Sequence, residues 1–306
     1  MPVHVPPLSR RQFLAGGLAA GAALSAPGWL SAATKPAEED LFLLLADIHI
    51  PEHPEKAHRS VRSSDGLKQA IAQALTLDKR PHTAIVSGDC AFRTGEAADY
   101  RALSGLIAPL REGGMPTHFS LGNHDHRQHF LDAFPDALAA NANVAQKLVA
   151  QKHVAVIETA KANWFLLDSL NRTNHTPGLL GPSQLAWLSR ALDARPNKPA
   201  IILAHHNPDP LLKTVGLIDT TALFQILEPR KQVKAYVFGH THRWETAVLD
   251  GIHLINVPTT AWLFDLAQPR GFLTTRLLAD RAVVTLHALD AKHAKHGQTV
   301  ELKWRG

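Results

Sequence analysis

The sequence predicts an α/β fold in which strands alternate with helices. Three short apolar runs, 41–46, 83–86 and 115–121, have the length and composition of buried strands. Between them, 66–77 and 96–110 carry apolar residues at helical spacing. Polar side chains follow each strand, and sites in parallel α/β sheets are built at that edge. The first third of the chain therefore predicts strand–helix–strand–helix–strand with a site at the carboxyl ends of the strands.

The rest of the chain continues this alternation. Residues 127–160 are rich in Ala and Asn, and we expect them to be mostly helical. Further strands are predicted at 164–168, 200–204 and 235–238, and helices at 184–192 and 220–227. Beyond residue 242, three strand-like runs predict completion of a second sheet: 252–257, 271–278 and 282–286.

The N-terminus reads as a targeting segment and not as part of the fold. Arg10 and Arg11 precede Phe13 and Leu14, and this pattern resembles the twin-arginine export signal. A mild apolar stretch follows, and 31–33 form a small-residue cleavage site, so we expect a signal peptide at 1–33 and one domain at 34–306. A disordered or amphipathic N-terminus is the alternative. The resemblance implies the twin-arginine machinery as a partner, with a periplasmic or secreted product, or a membrane-anchored one if the leader is kept.

Composition favours a globular protein with a metal site. Hydrophobic residues make up 45% of the 306 residues and charged residues 19%, which is too apolar for a disordered chain. There are 19 histidines against 2 tyrosines and 2 methionines, and histidine is the commonest metal ligand. Cys90 is the one cysteine, so no intramolecular disulfide can form.

The charge balance gives little support to nucleic-acid binding. Without Arg10 and Arg11, which lie in the predicted leader, 30 basic residues stand against 27 acidic ones. No dense basic run interleaved with aromatic residues occurs. We therefore expect no specific nucleic-acid partner, and no stable membrane span once the leader is cleaved. A small excess of positive charge is compatible with attraction of an anionic small molecule.

Five polar clusters carry the chemistry, and each directly follows an apolar run. They are Asp47-Ile48-His49, Gly88-Asp89, Gly122-Asn123-His124-Asp125, His205-His206 and Gly239-His240-Thr241-His242. Carboxylate, amide and imidazole donors without thiolate suit Mn, Fe, Zn or Co, whereas structural zinc more often uses cysteine. The set exceeds what one ion needs and is enough for a pair of ions that shares one ligand.

In this order, the five clusters resemble the motifs of the calcineurin-like metallophosphoesterase superfamily: D-x-H, G-D, G-N-H-[DE], H and G-H-x-H. The match extends from Asp47 to His242. The resemblance implies a four-layer α-β-β-α sandwich of two mixed sheets flanked by helices, with a dimetal site at the carboxyl edge of the strands. It also implies two divalent or trivalent transition-metal ions as cofactors.

The resemblance also implies ligand roles. Asp47, His49 and His242 would bind one metal, and Asp89 would bridge both. Asn123, His240 and one histidine of the 205–206 pair would bind the second. His205 is favoured because it directly follows the strand, while His206 fits a frequent H-x-P spacing and stays the alternative.

Two further roles follow from the same resemblance. His124 would face the scissile phosphate, where it stabilises developing charge or protonates the leaving alkoxide, and Asp125 would orient its ring. The implied reaction is hydrolysis of a phosphate ester by attack of a metal-bridging hydroxide.

The sequence favours a phosphodiesterase branch of this superfamily. Phe92 stands where purple acid phosphatases carry an iron-binding tyrosine, so a purple enzyme is not expected. The segment around Asp99 and Tyr100, together with His205-His206-Asn207-Pro208, looks more like cyclic-nucleotide and glycerophosphodiester phosphodiesterases. A phosphomonoesterase or nucleotide pyrophosphatase on the same core is the alternative. A non-catalytic metal-binding relative is less favoured because Asp89, Asn123 and His124 are all present.

Some residues near the motifs stay unassigned by the sequence. His53, His58 and Arg59 follow the first motif and belong to a solvated loop or contact substrate. Trp262 and Phe264 follow the last motif and are either core residues or part of a pocket wall. His126 is compatible with a surface position or with a supporting role.

Overall fold

The structure is a computed structural model that describes residues 37–138, 144–209 and 215–306. The predicted export signal and its cleavage site lie outside the described residues. Within the described ranges, no helix combines the length and the apolar character that a bilayer crossing requires.

The described chain contains fifteen strands and five α-helices. The strands are β1 Ala37–Ala46, β2 Ala57–His58, β3 Val61–Arg62, β4 Arg80–Ser87, β5 Thr117–Ser120, β6 Val144–Val149, β7 Lys152–Glu158, β8 Asn163–Leu166, β9 Ala200–Leu203, β10 Val233–Phe238, β11 Glu245–Leu249, β12 Ile252–Asn256, β13 Gly271–Leu277, β14 Arg281–Ala288 and β15 Thr299–Lys303. The helices are α1 Ser63–Thr76, α2 Ala97–Glu112, α3 Arg127–Ala133, α4 Pro182–Asp193 and α5 Thr220–Leu227, with a 3₁₀ turn at Pro135–Leu138.

Two mixed sheets form the centre of the molecule. The first has the order β15-β14-β13-β1-β4-β5, in which β1, β4 and β5 run parallel and β13 is antiparallel to β1. The second has the order β11-β12-β10-β9-β8-β7-β6, with a parallel core formed by β8, β9, β10 and β12. A separate two-stranded hairpin is formed by β2 and β3.

The alternation of side chains along the strands produces three apolar layers. In β1, Phe42 and Leu44 face the second sheet, whereas Leu43 and Leu45 face α1 and α2. In β9, Ile201 and Leu203 face the first sheet, whereas Ile202 packs under α4 and α5. Helix, sheet, sheet and helix therefore stack in that order, and the predicted four-layer sandwich is confirmed.

The prediction that residues 127–160 are mostly helical is wrong from residue 144 onwards, and residues 139–143 lie outside the described ranges. Helix α3 and the 3₁₀ turn occupy the first part, but β6 and β7 form an antiparallel hairpin at the edge of the second sheet. Strand β7 is buried over most of its length through Val154, Val156 and Ile157, and β-branched residues pack well on a sheet. Its turn, Ala150-Gln151, contains neither Gly nor Asn, so the usual hairpin signature is missing.

The prediction that the tail completes the second sheet is only partly correct. Strand β12 does join that sheet, but β13, β14 and β15 extend the first sheet on the far side of β1. Buried and partly exposed residues alternate along β14, which suits an antiparallel strand with one solvated face. Strand β11 was not predicted, although the turn after it carries an Asp250-Gly251 pair, a strong hairpin signal.

The β6–β7 turn can be tested against a matched turn. Gln151 has a φ of 66°, a left-handed conformation that glycine adopts without steric cost. We expect Gln151→Gly to raise the free energy of unfolding by about 0.5 kcal/mol. Gly251 has a φ of 74° at the corresponding place of the β11–β12 turn, and Gly251→Ala should lower stability by about 1 kcal/mol. Thermal melts of both variants measure these effects. If both melting temperatures moved in the same direction, the conformations assigned to the two turns would be contradicted.

Candidate metal centre

Five segments meet at the carboxyl ends of β1, β4, β5, β9 and β10. Backbone hydrogen bonds continue past the strand ends and hold the segments together: His49 N–H donates to the Asp89 carbonyl at 2.9 Å, and Gly239 N–H donates to the His205 carbonyl at 3.0 Å. The Thr259 hydroxyl donates to the Asp47 carbonyl at 2.7 Å. Because both sheets end here, residues 47 and 242 become neighbours.

The five motifs come together as two adjoining groups of possible ligands. Asp47, His49 and His242 form the first group, and all three are buried. Asp89, His205 and His240 form the second. Within each group, one atom from each residue lies within 4.8 Å of the others, which is the spacing of side chains around one ion.

Backbone carbonyls fix which nitrogen of each site histidine is free. The Nδ1 atoms of His49, His205 and His242 donate to the carbonyls of Phe92 (3.3 Å), Ser87 (2.7 Å) and Trp262 (2.6 Å). For His240 the pattern is reversed, since Nε2 donates to the Val215 carbonyl at 2.7 Å. A carbonyl only accepts, so each bonded nitrogen carries the proton and the other is left with its lone pair.

The free nitrogens of the first group point at one another, which is unfavourable between two neutral rings. Nε2 of His49 lies 3.1 Å from Nε2 of His242, and the latter lies 3.3 Å from the Asp47 carboxylate. With both Nδ1 protons committed to carbonyls, two neutral rings present two lone pairs and a carboxylate to the same small volume. Such an arrangement is repulsive unless a positive charge lies between the groups.

Asp89 lies between the two groups. One of its oxygens is 3.6 Å from Nε2 of His49 and 3.3 Å from Nε2 of His205, so the same carboxylate oxygen faces a ring of each group. The other oxygen accepts the backbone N–H of His124 at 2.9 Å. Asp89 therefore contacts one ring of each group.

Two buried acceptors in the motifs have no hydrogen-bond partner. They are Oδ1 of Asn123 and Nε2 of His205. An unpaired buried polar atom costs about 1–3 kcal/mol, so such atoms call for an explanation. Coordination to metal would supply one, and together with the two groups of possible ligands these free atoms fit a metal pair.

The backbone at the site is left-handed at five motif residues. Among the described non-glycine residues, Asp47, His49, Asp89, His240 and His242 have φ values of 50°, 44°, 48°, 68° and 55°. Each such residue costs about 1 kcal/mol or more, and strain of this kind is found where surrounding structure imposes a functional geometry. The reversal of the chain turns each side chain inward from the end of its strand.

His206 differs from His205 in its bonding. Its Nδ1 lies 2.8 Å from the Ser169 hydroxyl, and its Nε2 donates to the Thr176 carbonyl at 2.9 Å. Both ring nitrogens are therefore occupied, whereas Nε2 of His205 is free. A Cβ at Gly178 would collide with the His206 ring, which shows how closely this ring is enclosed.

The expected hydrogen bond from the ring of His124 to the Asp125 carboxylate does not occur. Nδ1 of His124 donates instead to the Arg93 carbonyl at 2.7 Å. Asp125 is fully buried and accepts from the backbone N–H groups of Cys90, Ala91 and Gly122 and from the Tyr100 hydroxyl. Its short side chain therefore binds the loops that carry Asp89 and Asn123, and it does not steer His124.

Burial and charge set the protonation of the site. Burial lowers the pKa of His49 to about 3 and that of His240 to about 4. Burial also opposes protonation of His205, but the Asp89 carboxylate raises its pKa to about 9. For Asp89 itself, burial works against ionisation, yet His205 and His124 hold the pKa well below its usual range. The Asp89 carboxylate therefore favours positive charge at Nε2 of His205, which faces it at 3.3 Å, and either a proton or a metal ion can supply that charge.

The sequence did not reveal which residues support the motifs. Trp262 contributes the carbonyl that holds His242, and its ring lies 4.2 Å from that of His49. Tyr100 donates to Asp125 at 3.0 Å and accepts the N–H of His126 at 2.7 Å. Tyr100 was noticed in the sequence as part of a subfamily pattern, but its buried hydroxyl partner is visible only in the fold.

Comparison with known proteins agrees with this geometry. The calcineurin-like phosphoesterase family matches residues 41–244, which include all five motifs. The chain belongs to this family. The twin-arginine translocation signal sequence matches residues 7–27, so the predicted export signal is confirmed as well. The chain is thus an exported member of a family of phosphoester hydrolases.

Several relatives of this family member have been named for their activities. A 3′,5′-cyclic adenosine monophosphate phosphodiesterase of Vibrio vulnificus is 26% identical over 73% of this chain and 77% of its own. A probable cyclic nucleotide phosphodiesterase of Rhodopseudomonas palustris is 28% identical over 79% and 90%. A glycerophosphodiester phosphodiesterase of Enterobacter lignolyticus is 24% identical over 66% and 70%.

Solved structures share the fold. A dimetal phosphatase from Danio rerio superposes with a TM-score of 0.65 at 15% identity, covering 87% of this chain and 99% of that one. A purple acid phosphatase from yellow lupin gives 0.58 at 12% identity, over 88% and 54%. These likenesses confirm the architecture of the family member.

The loops at the site pack so closely that adding a single methyl group at Gly122 should change the stability of the protein. A Cβ on Gly122 would overlap Asp89 and the His205 ring, both of which are buried. We expect Gly122→Ala to lower the free energy of unfolding by about 2 kcal/mol or more, the cost of overpacking. Gly105 in α2 has open space around it, so Gly105→Ala should raise stability by up to about 1 kcal/mol. Equal melting temperatures for the two variants would contradict the packing described at Gly122.

Proposed function

We propose that this protein hydrolyses phosphodiesters at a pair of transition-metal ions. The observation that carries the proposal is the convergence of His49, His242 and Asp47 on one volume beside Asp89, a set of donors that repel one another without cations. When bound, two metal ions would neutralise phosphate oxygens and lower the pKa of a water molecule. The donors are nitrogen and oxygen, which suits Mn, Fe, Zn or Co.

We assign the first ion to Asp47, His49 and His242, and the second to Asn123, His205 and His240, with Asp89 bridging. Support comes from the two adjoining groups and from the free atoms of Asn123 and His205. For the 205–206 pair, His205 is supported because both ring nitrogens of His206 already have hydrogen-bond partners. The carbonyls behind the histidines orient the rings, a role typical of the groups around a metal site.

We assign His124 to the substrate. Its ring lies 5.3 Å from the His49 ring and is only partly buried. The Arg93 carbonyl holds its Nδ1 proton, which leaves Nε2 for the phosphate or for the leaving alkoxide. In this role His124 would act as an imidazolium: with Nδ1–H held by Arg93, its Nε2–H would stabilise negative charge and pass that proton to the departing oxygen.

The choice of diesters rests on the named relatives, which include cyclic nucleotide and glycerophosphodiester phosphodiesterases. A phosphomonoesterase or nucleotide pyrophosphatase on the same core is the alternative within this class. A non-catalytic role is less favoured, because Asp89, Asn123 and His124 are all retained at the site. Export by the twin-arginine route supports a periplasmic location for the enzyme.

Hydrolysis of bis(p-nitrophenyl) phosphate by the metal-loaded protein tests this function. We expect Asp89→Asn and His124→Ala each to reduce kcat/KM by about 100-fold or more. Only Asp89→Asn should also lose metal, since His124 is not assigned as a ligand. His126→Ala is the matched control: this ring stacks on His129 at 4.0 Å, and its loss should change the rate by about threefold or less. Parent-like activity of both site variants would refute the assignment.

The metal content of two neighbouring histidine variants tests the ligand choice. We expect His205→Ala to bind about one ion fewer per chain. His206→Ala should keep both ions but lose about 1–3 kcal/mol of stability, because Ser169 and Thr176 lose a buried partner. Atomic spectroscopy after metal loading and thermal melts give the two readouts. Loss of an ion in His206→Ala, with full occupancy in His205→Ala, would reverse the assignment.

A further inference from the structure

An aromatic wall stands beside the first group of metal-site residues. Trp262 lies 4.2 Å from the His49 ring and 4.5 Å from the His58 ring, and Phe92 closes the cluster at 5.6 Å from His58. Trp262 and Phe92 are buried, so their rings form the foundation of the wall and not its surface. His58 belongs to the β2–β3 hairpin, which therefore packs directly against the site.

Phe264 is the exposed part of this wall. Its ring centroid lies 4.4 Å from that of His242, yet 58% of the residue is accessible to solvent. Among the large hydrophobic residues that are exposed in the described part of the chain, Phe264 is the only aromatic one. Solvent exposure of a large aromatic surface is unfavourable, so a ring held in this way against a site histidine is available to a ligand.

Three cations line the same wall. The Arg59 guanidinium lies 5.2 Å from the centroid of the Phe264 ring, and Lys56 lies 4.3 Å from that of Phe92. Arg93 lies 5.9 Å from the Phe92 ring, and its carbonyl holds His124. Each cation is within the range of a cation–π contact, so positive charge is kept next to aromatic surface and close to the site.

The β2–β3 turn fixes Arg59 in this position. Arg59 and Ser60 have φ values of 49° and 63°, which makes a two-residue turn between the paired His58 and Val61. His58 anchors the hairpin on Trp262. The guanidinium thus extends from a short, tied turn and not from a long loop, and its place above Phe264 follows from the fold.

An exposed aromatic ring paired with a guanidinium matches one ligand chemistry. A nucleobase is planar, stacks on both aromatic rings and guanidinium groups, and is attached to the phosphate that such a site would hold. A diester of a small alcohol or polyol offers no planar surface, and an uncharged apolar chain gains nothing from the cations. The combination of Phe264 and Arg59 is therefore suited to a nucleotide.

We propose that Phe264 and Arg59 form a base-binding subsite that makes this protein selective for nucleotide phosphodiesters. This inference rests on the proposed phosphodiesterase function and names the residues that determine specificity among diesters. Phe264 supplies the stacking surface and Arg59 the cationic partner, while the buried Trp262 keeps the wall against His49.

Two substrates with the same leaving group separate base recognition from catalysis. Thymidine 5′-(p-nitrophenyl phosphate) and methyl p-nitrophenyl phosphate both release p-nitrophenolate but differ in the nucleoside. The ratio of their kcat/KM values reports the contribution of the base. We expect the parent to prefer the thymidine ester, and Phe264→Leu to reduce this ratio about tenfold, with little change for the methyl ester. Arg59→Gln should reduce it about threefold.

Leu266→Ala is the matched control, since Leu266 lies two residues beyond Phe264 and is 87% exposed. Its ratio should equal that of the parent. Activity on the methyl ester shows that each variant is folded and metal-loaded. An unchanged ratio in Phe264→Leu would overturn the base-binding subsite. An equal loss of kcat/KM on both esters would also overturn it, because Phe264 would then only support His242. A parent that hydrolyses neither ester would instead count against the proposed phosphodiesterase function.

Discussion

The structure depends on one unfavourable interaction, the repulsion between nitrogen lone pairs that face each other at the edge of the two sheets. Nε2 of His49 faces Nε2 of His242 at 3.1 Å, with the Asp47 carboxylate close by. Backbone carbonyls hold both Nδ1 protons, so neither ring can relieve the contact by changing tautomer. Only positive charge makes this geometry favourable, and the surrounding fold is arranged to impose it.

The imposed geometry has a cost that the sandwich must offset. Five motif residues adopt left-handed backbone conformations, each worth about 1 kcal/mol or more of strain. Asp125 compensates locally, since its buried carboxylate accepts from the N–H groups of Cys90, Ala91 and Gly122 and from the Tyr100 hydroxyl. These bonds join the loop of Asp89 to that of Asn123. A residue expected to act on substrate through His124 thus contributes to the rigidity of the site.

The sequence was sufficient where a pattern was local and repeated. Apolar runs followed by polar motifs located β1, β4, β9 and β10 and the residues that gather at their ends. It failed where the decisive contact is long-range. The β6–β7 hairpin turns through Ala150-Gln151, a pair with no turn signature, and its strand character comes from packing against β8. Contacts with residues far away in the sequence likewise decide which sheet each C-terminal strand joins. Nothing in the local sequence of β14 indicates that it belongs to the first sheet.

The partners of site residues were also beyond the sequence. No spacing rule connects His124 to the Arg93 carbonyl or His242 to that of Trp262, because these bonds arise when loops from different strands meet. The distinction between His205 and His206 has the same origin. Adjacent residues turn opposite ways, so one ring faces Asp89 and the other faces Ser169, and only the bonding of each ring tells them apart.

The position of the site also links its occupancy to folding. Asp47 and Asp89 follow strands of the first sheet, whereas His205 and His240 follow strands of the second. Ions held between them would join the carboxyl edges of the two sheets, where unpaired acceptors otherwise face one another. Metal binding would then contribute to the stability of the sandwich itself, since binding free energy at a site assembled by folding is also folding free energy. Cys90 is the one cysteine, so no intramolecular disulfide can form, and metal ions bound at this site would give the exported protein a cross-link between its sheets.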